Sequence, residues 1–252
     1  MLPLLAILVL GVFAQQTFAD EPEAIVGGIS ALPGEFPYQC SLQMHSNHFC
    51  GGIIASPTCI VTAAHCLDGR TPPPFDTIKV ITGSISSTVG RERSVKFGKI
   101  HPDYKGSAQY SWKNDVAVLV LKEPLKFNSY QSSIRLATQT PPSGTPCVVT
   151  GWGKTSVNSS IEPTLLKAYT TIIDNKTCRD LYNGQPIYDV HLCTFVGHGT
   201  GICQGDSGGP LMCNGKLAGI VSWLIPCAVG YPDVFCDVAQ VRSFIQSVCP
   251  EV

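Results

Sequence analysis

Charge is scarce in this 252-residue chain. Only 14% of its residues are charged, the 17 basic and 18 acidic side chains nearly cancel, and no basic run exceeds two residues. A nucleic-acid or anionic-membrane partner therefore finds no electrostatic footing. Long apolar runs are also missing. The stretch from Leu2 to Ala14 is too short to span a bilayer, and nothing later approaches that length. No C-x-x-C pair occurs, and the one short cysteine spacing around a histidine is Cys59 to Cys66 about His65, so disulfides outrank zinc. Heptads, low-complexity tracts and short-period repeats are absent, and no cofactor motif stands out.

Turn formers and cysteines are plentiful. The 24 glycines and 19 prolines imply many turns rather than long helices. Twelve cysteines, an even number, fit an oxidising compartment. The start, MLPLLAILVLGVFAQQTFADEPEA, reads as a signal peptide over 1–19 cut after Ala14 or Ala19, although it lacks the usual early basic residue. Secretion to the extracellular space is the expectation. Two sequons, at Asn158 and Asn175, are candidate glycan acceptors or plain surface asparagines.

From Ile25 onward, apolar and β-branched runs of four to eight residues alternate with turn clusters. Examples are Cys59–Thr62, Thr77–Ile81, Val116–Leu121, Cys147–Thr150, Tyr169–Ile173 and Leu217–Ser222. This spacing predicts an all-β sandwich or barrel. Helical period is found only at the end, where Val238, Val241, Phe244, Ile245 and Val248 share a face. The pattern loosens between Lys122 and Pro146, a natural boundary between two halves.

Three segments carry chemistry when taken together. In VTAAHC, a strand pattern ends at His65. In NDVAVLVL, Asp115 precedes an apolar strand, so its carboxylate should be partly buried and needs a hydrogen-bonding partner. In QGDSGGP, glycines flank Ser207 on both sides. A structural histidine, an ordinary strand-start aspartate and a glycine turn would explain each alone. Their joint occurrence points to a serine activated by a histidine base, since a hydroxyl is weakly nucleophilic until its proton is taken.

IVGG at 25–28, TAAHC, NDVAVL, CVVTGWG, GDSGGP and VSW resemble the chymotrypsin–trypsin family of serine endopeptidases, from Ile25 to the C-terminal helix. The resemblance implies two packed six-stranded antiparallel Greek-key barrels, about 25–133 and 134–236, and a short helix at about 238–248, together a peptidase domain over 25–252. It implies Ser207 as nucleophile, His65 as general base, Asp115 as its orienting carboxylate and the amides of Gly205 and Ser207 as oxyanion hole. Ser222 resembles the serine that bonds the triad aspartate. Asp206 would pair with the α-amino group freed by cleavage before Ile25, making 20–24 a propeptide and the chain a zymogen. Ala24 stands where the family usually has Arg or Lys, so the activator would be elastase-like or a dipeptide-trimming enzyme.

By motif position the resemblance pairs Cys50 with Cys66, Cys147 with Cys213, Cys178 with Cys193 and Cys203 with Cys227. The remaining four allow three connectivities. Cys59 stands where the family commonly packs a tryptophan near the terminal helix, which suggests Cys59–Cys249 and leaves Cys40 and Cys236 as buried thiols.

The pocket departs from the tryptic pattern. Gly201 holds the position where trypsin-like members carry aspartate, Ile202 beside it is apolar, and Asp233 replaces a glycine on the opposite wall. This swap is similar to crustacean collagenolytic serine proteases, which accept several side-chain classes. Gln204, Trp223, Leu224 at the mouth and Trp112 over the next subsite complete the candidate wall. A broad chymotrypsin- or elastase-like preference with basic tolerance is the expectation, and cleavage after Arg or Lys through Asp233 the alternative. The 83–90 loop has no carboxylate, so no calcium or other metal is expected. His45, His48, His101, His191 and His198 are expected on loops. Expected partners are peptide or protein substrates, an activating protease and protein protease inhibitors, with the chain a monomer used for digestion, venom or defence. A non-catalytic binding protein on the same scaffold is the competing class.

Overall fold

The computed structural model describes residues 25–252; the signal peptide and propeptide expectations lie outside the described residues. Short apolar strands dominate. The first barrel is closed by β2 (Gln39–Met44), β3 (Asn47–Ile54), β4 (Cys59–Thr62), β5 (Lys79–Thr82), β6 (Arg91–Ile100) and β7 (Ala117–Leu121), after a two-residue β1 (Ile29–Ser30). Their order around the ring is β2-β3-β4-β7-β6-β5. β4 reads CIVT and is buried throughout, its Cys59, Ile60 and Val61 lying in the core cluster that also holds Val241, Ile245 and Cys249 from the end of the chain. A side chain there has no solvent face to turn to, which suits an unbroken apolar run.

The second barrel comprises β8 (Pro146–Gly151), β9 (Leu166–Ile173), β10 (His191–Thr194), β11 (Pro210–Cys213), β12 (Lys216–Trp223) and β13 (Asp233–Asp237). Pairing runs β8-β9-β10-β13-β12-β11 and returns to β8. β9 alternates buried and partly exposed residues, as expected for a strand with one face on the core. β1, first in the chain, pairs with β9 rather than with the first barrel. The N-terminal segment thus belongs to the sheet of the second half.

The expected strands appear with ends moved by at most three residues, and Cys59–Thr62 appears unchanged. One helix was not foreseen: α1 (Asn175–Tyr182), capped by Asp174, whose side chain accepts from Thr177 N at 2.8 Å. α2 (Val238–Val248) follows the expected face, burying Val238, Val241 and Ile245, and is capped by Asp237. These spacings place the three on one stripe. The disulfide Cys59–Cys249 joins β4 to the end of α2. Where β3 and the 63–66 turn of the first barrel meet the 201–210 loop of the second, the chemistry-bearing motifs converge.

Candidate active site

His65 sits in a single 3-10 turn, Ala64–Cys66, directly after β4. Asp115 lies two residues before β7, the neighbour of β4 in the barrel. Strand pairing alone therefore brings the two together. His65 Nδ1 lies 2.7 Å from Asp115 Oδ2, and His65 N donates to Asp115 Oδ1 at 2.9 Å. Ser222, on β12 of the other barrel, donates its hydroxyl to Asp115 Oδ2 at 2.5 Å. Asp115 is fully buried yet triply supported, while the His65 side chain keeps 21% exposure. Burial alone would lower the imidazole's pKa; the charge of Asp115 and its hydrogen bond reverse this and raise it. Burial likewise works against the Asp115 anion, and His65 and Ser222 together hold its pKa below the usual carboxylate value.

Ser207 is tied to the same turn from the other side. Its carbonyl accepts from Gly51 N at 2.7 Å, and the preceding Cys50 is disulfide-bonded to Cys66, next to His65. Gly208 has no room for a side chain: a Cβ there would lie 2.2 Å from Thr62 Oγ1. This close approach of backbone to backbone presses the serine loop against the histidine turn. Gly205 has φ +104°, and a Cβ would fall 2.4 Å from Ile161 Cδ1. Among the described residues neither Gly205 N nor Ser207 N donates to a protein acceptor, so both amides are free for a ligand oxygen.

Asp206 points the opposite way, into the second barrel. It accepts from Gly153 N at 2.7 Å and Cys203 N at 2.9 Å, is wholly buried, and meets no cation among the described residues. Burial pushes its pKa up to about 7 despite the two amides. Ile25 packs into the same barrel's core with Val149, Ile202 and Phe235, and Gly201 N donates to the carbonyl of Val26 at 3.0 Å.

The pocket residues divide. Asp233 opens β13 opposite Thr194, is 6% exposed, and accepts from Ile202 N at 3.0 Å through Oδ2. A Cβ on Gly201 would come within 2.8 Å of that oxygen, so the carboxylate occupies space that only a glycine leaves. Ile202 is buried in the barrel core, and its amide is what it gives Asp233. Gln204 is exposed. Trp112, Trp223, Leu224 and Tyr182 line a separate cleft of about 470 Å³, with the two indole centroids 6.3 Å apart.

This geometry has relatives. A family description, Trypsin, matches residues 25–245. The chain belongs to the trypsin family. A trypsin of Sarcophaga bullata is 43% identical over 90% of each chain, and pig (Sus scrofa) trypsin 35% identical over 90% of this chain and 96% of its own. Hypodermin-B of Hypoderma lineatum is 40% identical over 88% and 86%. The solved structure of neuropsin, a serine protease expressed in the limbic system of mouse brain, superposes with a TM-score of 0.80 at 29% identity, covering 88% and 98%. As a trypsin-family member the chain is a serine endopeptidase, and its substrates are proteins or peptides.

Two histidines depart from the expectation of loop positions. His48 is on β3, where Nε2 lies 3.0 Å from the carbonyl of Gly205 and Nδ1 lies 2.8 Å from Ser41 Oγ. It holds the back of the loop whose front carries the free amides, and its ring meets Trp152 edge-on. Burial lowers its pKa, so it serves as a neutral ring. His191 begins β10 and is buried against Trp223, its pKa pushed down by burial to about 4.

The structure of this trypsin-family chain has five disulfides: Cys50–Cys66, Cys59–Cys249, Cys147–Cys213, Cys178–Cys193 and Cys203–Cys227. Cys40 and Cys236 are buried free thiols. Asn158 is exposed, whereas Asn175 Nδ2 donates to the carbonyls of Tyr188 and His191. No helix among the described residues is long and apolar enough to cross a membrane.

Proposed function

We propose that Ser207, His65 and Asp115 form the catalytic triad of a secreted zymogen activated by cleavage before Ile25. The observation that carries this reading is the buried Asp115 carboxylate bonded twice to His65 and once to Ser222. With Nδ1 committed to Asp115, the imidazole has Nε2 left to take the Ser207 proton as Oγ attacks a peptide carbonyl. The tetrahedral oxyanion draws on the amides of Gly205 and Ser207. His65 then passes its proton to the leaving amine, and water repeats the sequence on the acyl-enzyme.

Activation has support in the backbone. Ile25 has φ +40°, a conformation costing a β-branched residue roughly 1–3 kcal/mol. That torsion is defined by the carbonyl carbon of the preceding residue, so cleavage there abolishes the constraint. The α-amino group released at Ile25 supplies the cation that Asp206 lacks. An activating protease and protein inhibitors are the remaining partners in this reading.

Preference before the scissile bond is broad, with apolar side chains taken and basic ones tolerated. A trypsin-like preference is the second reading, favoured by the Asp233 carboxylate without a cation partner and by the names of the relatives. The test is labelling with diisopropyl fluorophosphate before and after cleavage ahead of Ile25. Labelling of Ser207 only in the cleaved protein is expected. An unlabelled Ser207 after cleavage overturns the enzymatic reading in favour of a binding protein on the same scaffold.

A further inference from the structure

Asp233 is an odd choice for a pocket that takes apolar side chains and an incomplete one for a pocket that takes only basic ones. The carboxylate is 6% exposed, one oxygen is held by Ile202 N, and no lysine, arginine or histidine pairs with it among the described residues. It rests against the bare Cα of Gly201, where no side chain separates it from the backbone of that wall. The charged or titratable groups around it are few. Asp206, in the loop beside it, repels its negative charge; Tyr182 of α1 is the other, and its hydroxyl is occupied by the carbonyl of Pro232. The Ile202 amide is thus the one neighbour named that favours the charge, and Asp206 opposes it.

We propose that Asp233 is a proton-operated selector: ionised, it accepts the cationic end of an arginine or lysine side chain, and as the neutral acid it admits apolar side chains. The proposal rests on the reading of Asp233 as the base of the pocket that holds the residue before the scissile bond. Burial raises its pKa well above the ordinary carboxylate value; in the activated enzyme the Ile25 ammonium faces Asp206 and offsets its repulsion, so burial is what moves the change of state from acid conditions towards the range where the enzyme works. Binding a basic side chain to the neutral form then releases one proton to solvent, and binding an apolar one releases none. The two specificity readings become two protonation states of one pocket.

The activated enzyme is to be assayed on two peptides identical except for arginine or leucine before the scissile bond, between about pH 5.5 and pH 9.5, the span flanking the unperturbed histidine pKa. Titration of His65 is common to both and cancels in the ratio of their kcat/KM values. The arginine-to-leucine ratio should climb with pH, by up to about tenfold per unit. In Asp233→Asn it should be low and flat, with stoichiometric labelling of Ser207 by diisopropyl fluorophosphate as the control for folding. A flat ratio in the natural enzyme, with arginine cleavage lost in Asp233→Asn, overturns the selector and leaves the pocket base standing. A ratio that Asp233→Asn does not change removes the pocket base itself. Should the variant not fold, calorimetry of benzamidine binding to the natural enzyme across the same pH range, in two buffers of different ionisation enthalpy, decides: proton release on binding that fades as pH rises supports the selector, and none at any pH overturns it.

Discussion

Asp115 and Asp233 are both buried carboxylates, and the fold treats them in opposite ways. Asp115 receives two hydrogen bonds from His65 and one from Ser222, and its pKa falls below the usual value. Asp233 receives a single amide, meets no cation among the described residues, and its pKa rises. A charge completed by its own protein is fixed machinery; a charge left incomplete is an invitation to a ligand. In the proposed reading the His65–Asp115 pair is completed by the chain itself, while the pocket carboxylate waits for the substrate.

Breaking the finished half has the largest effect. Asp115→Asn should lower kcat by about 10⁴, the size this change has in the template triad. The same variant tests the acid limb. His65 must be neutral to act as base, and Asp115 raises its pKa, so as pH is lowered kcat/KM of the natural enzyme should begin to fall while the pH is still above the unperturbed value of about 6.5. In Asp115→Asn the limb should move to lower pH; an unmoved limb would show that this carboxylate does not set the base.

Gly205→Ala comes next, with a loss of about 10²–10³ in kcat, because the added carbon meets Ile161 and tilts an amide away from the oxyanion. Gly201→Ala addresses the unfinished half. Its Cβ would displace the Asp233 carboxylate, so cleavage after basic residues should fall about tenfold relative to apolar ones, with apolar kcat unchanged. Equal losses on both substrates would place the damage in the backbone rather than the pocket. Ser222→Ala is the mildest. Losing one of three supports on Asp115 should cost a few-fold in kcat, within the net worth of about 1 kcal/mol for one hydrogen bond.

The contrast also separates what the sequence discloses from what it hides. His65, Asp115 and Ser207 are legible because each stands in a local motif whose residue types carry the chemistry. The strands are legible because fully buried or half-buried strands need unbroken or alternating apolar residues, as in CIVT and LKAYTTII. His48 was not legible: the carbonyl it meets belongs to a residue 157 positions away, and nothing beside it in the chain announces that contact. α1 escaped because its two turns bury only Cys178 and Tyr182, too few to set a period. The signal that would have found it is Asp174 with Thr177 three residues on, and the Lys176–Asp180 pair one turn apart. The sequons were visible but not distinguishable, since only the fold shows the Asn175 amide already engaged. Peptide mapping of the secreted protein should accordingly find a glycan at Asn158 and none at Asn175.

The Cys59–Cys249 bond closes a covalent ring around 190 residues of chain, and the triad and the pocket all lie inside it. For a protease this decides what self-digestion can achieve. A single cut anywhere within the ring opens it but frees no fragment, so the nicked molecule keeps its mass until it is reduced. The cut proposed before Ile25 lies outside every disulfide loop, and there the severed piece departs. One hydrolytic event is thereby built to release its product, while an accidental one inside the ring leaves its two ends held within reach of each other.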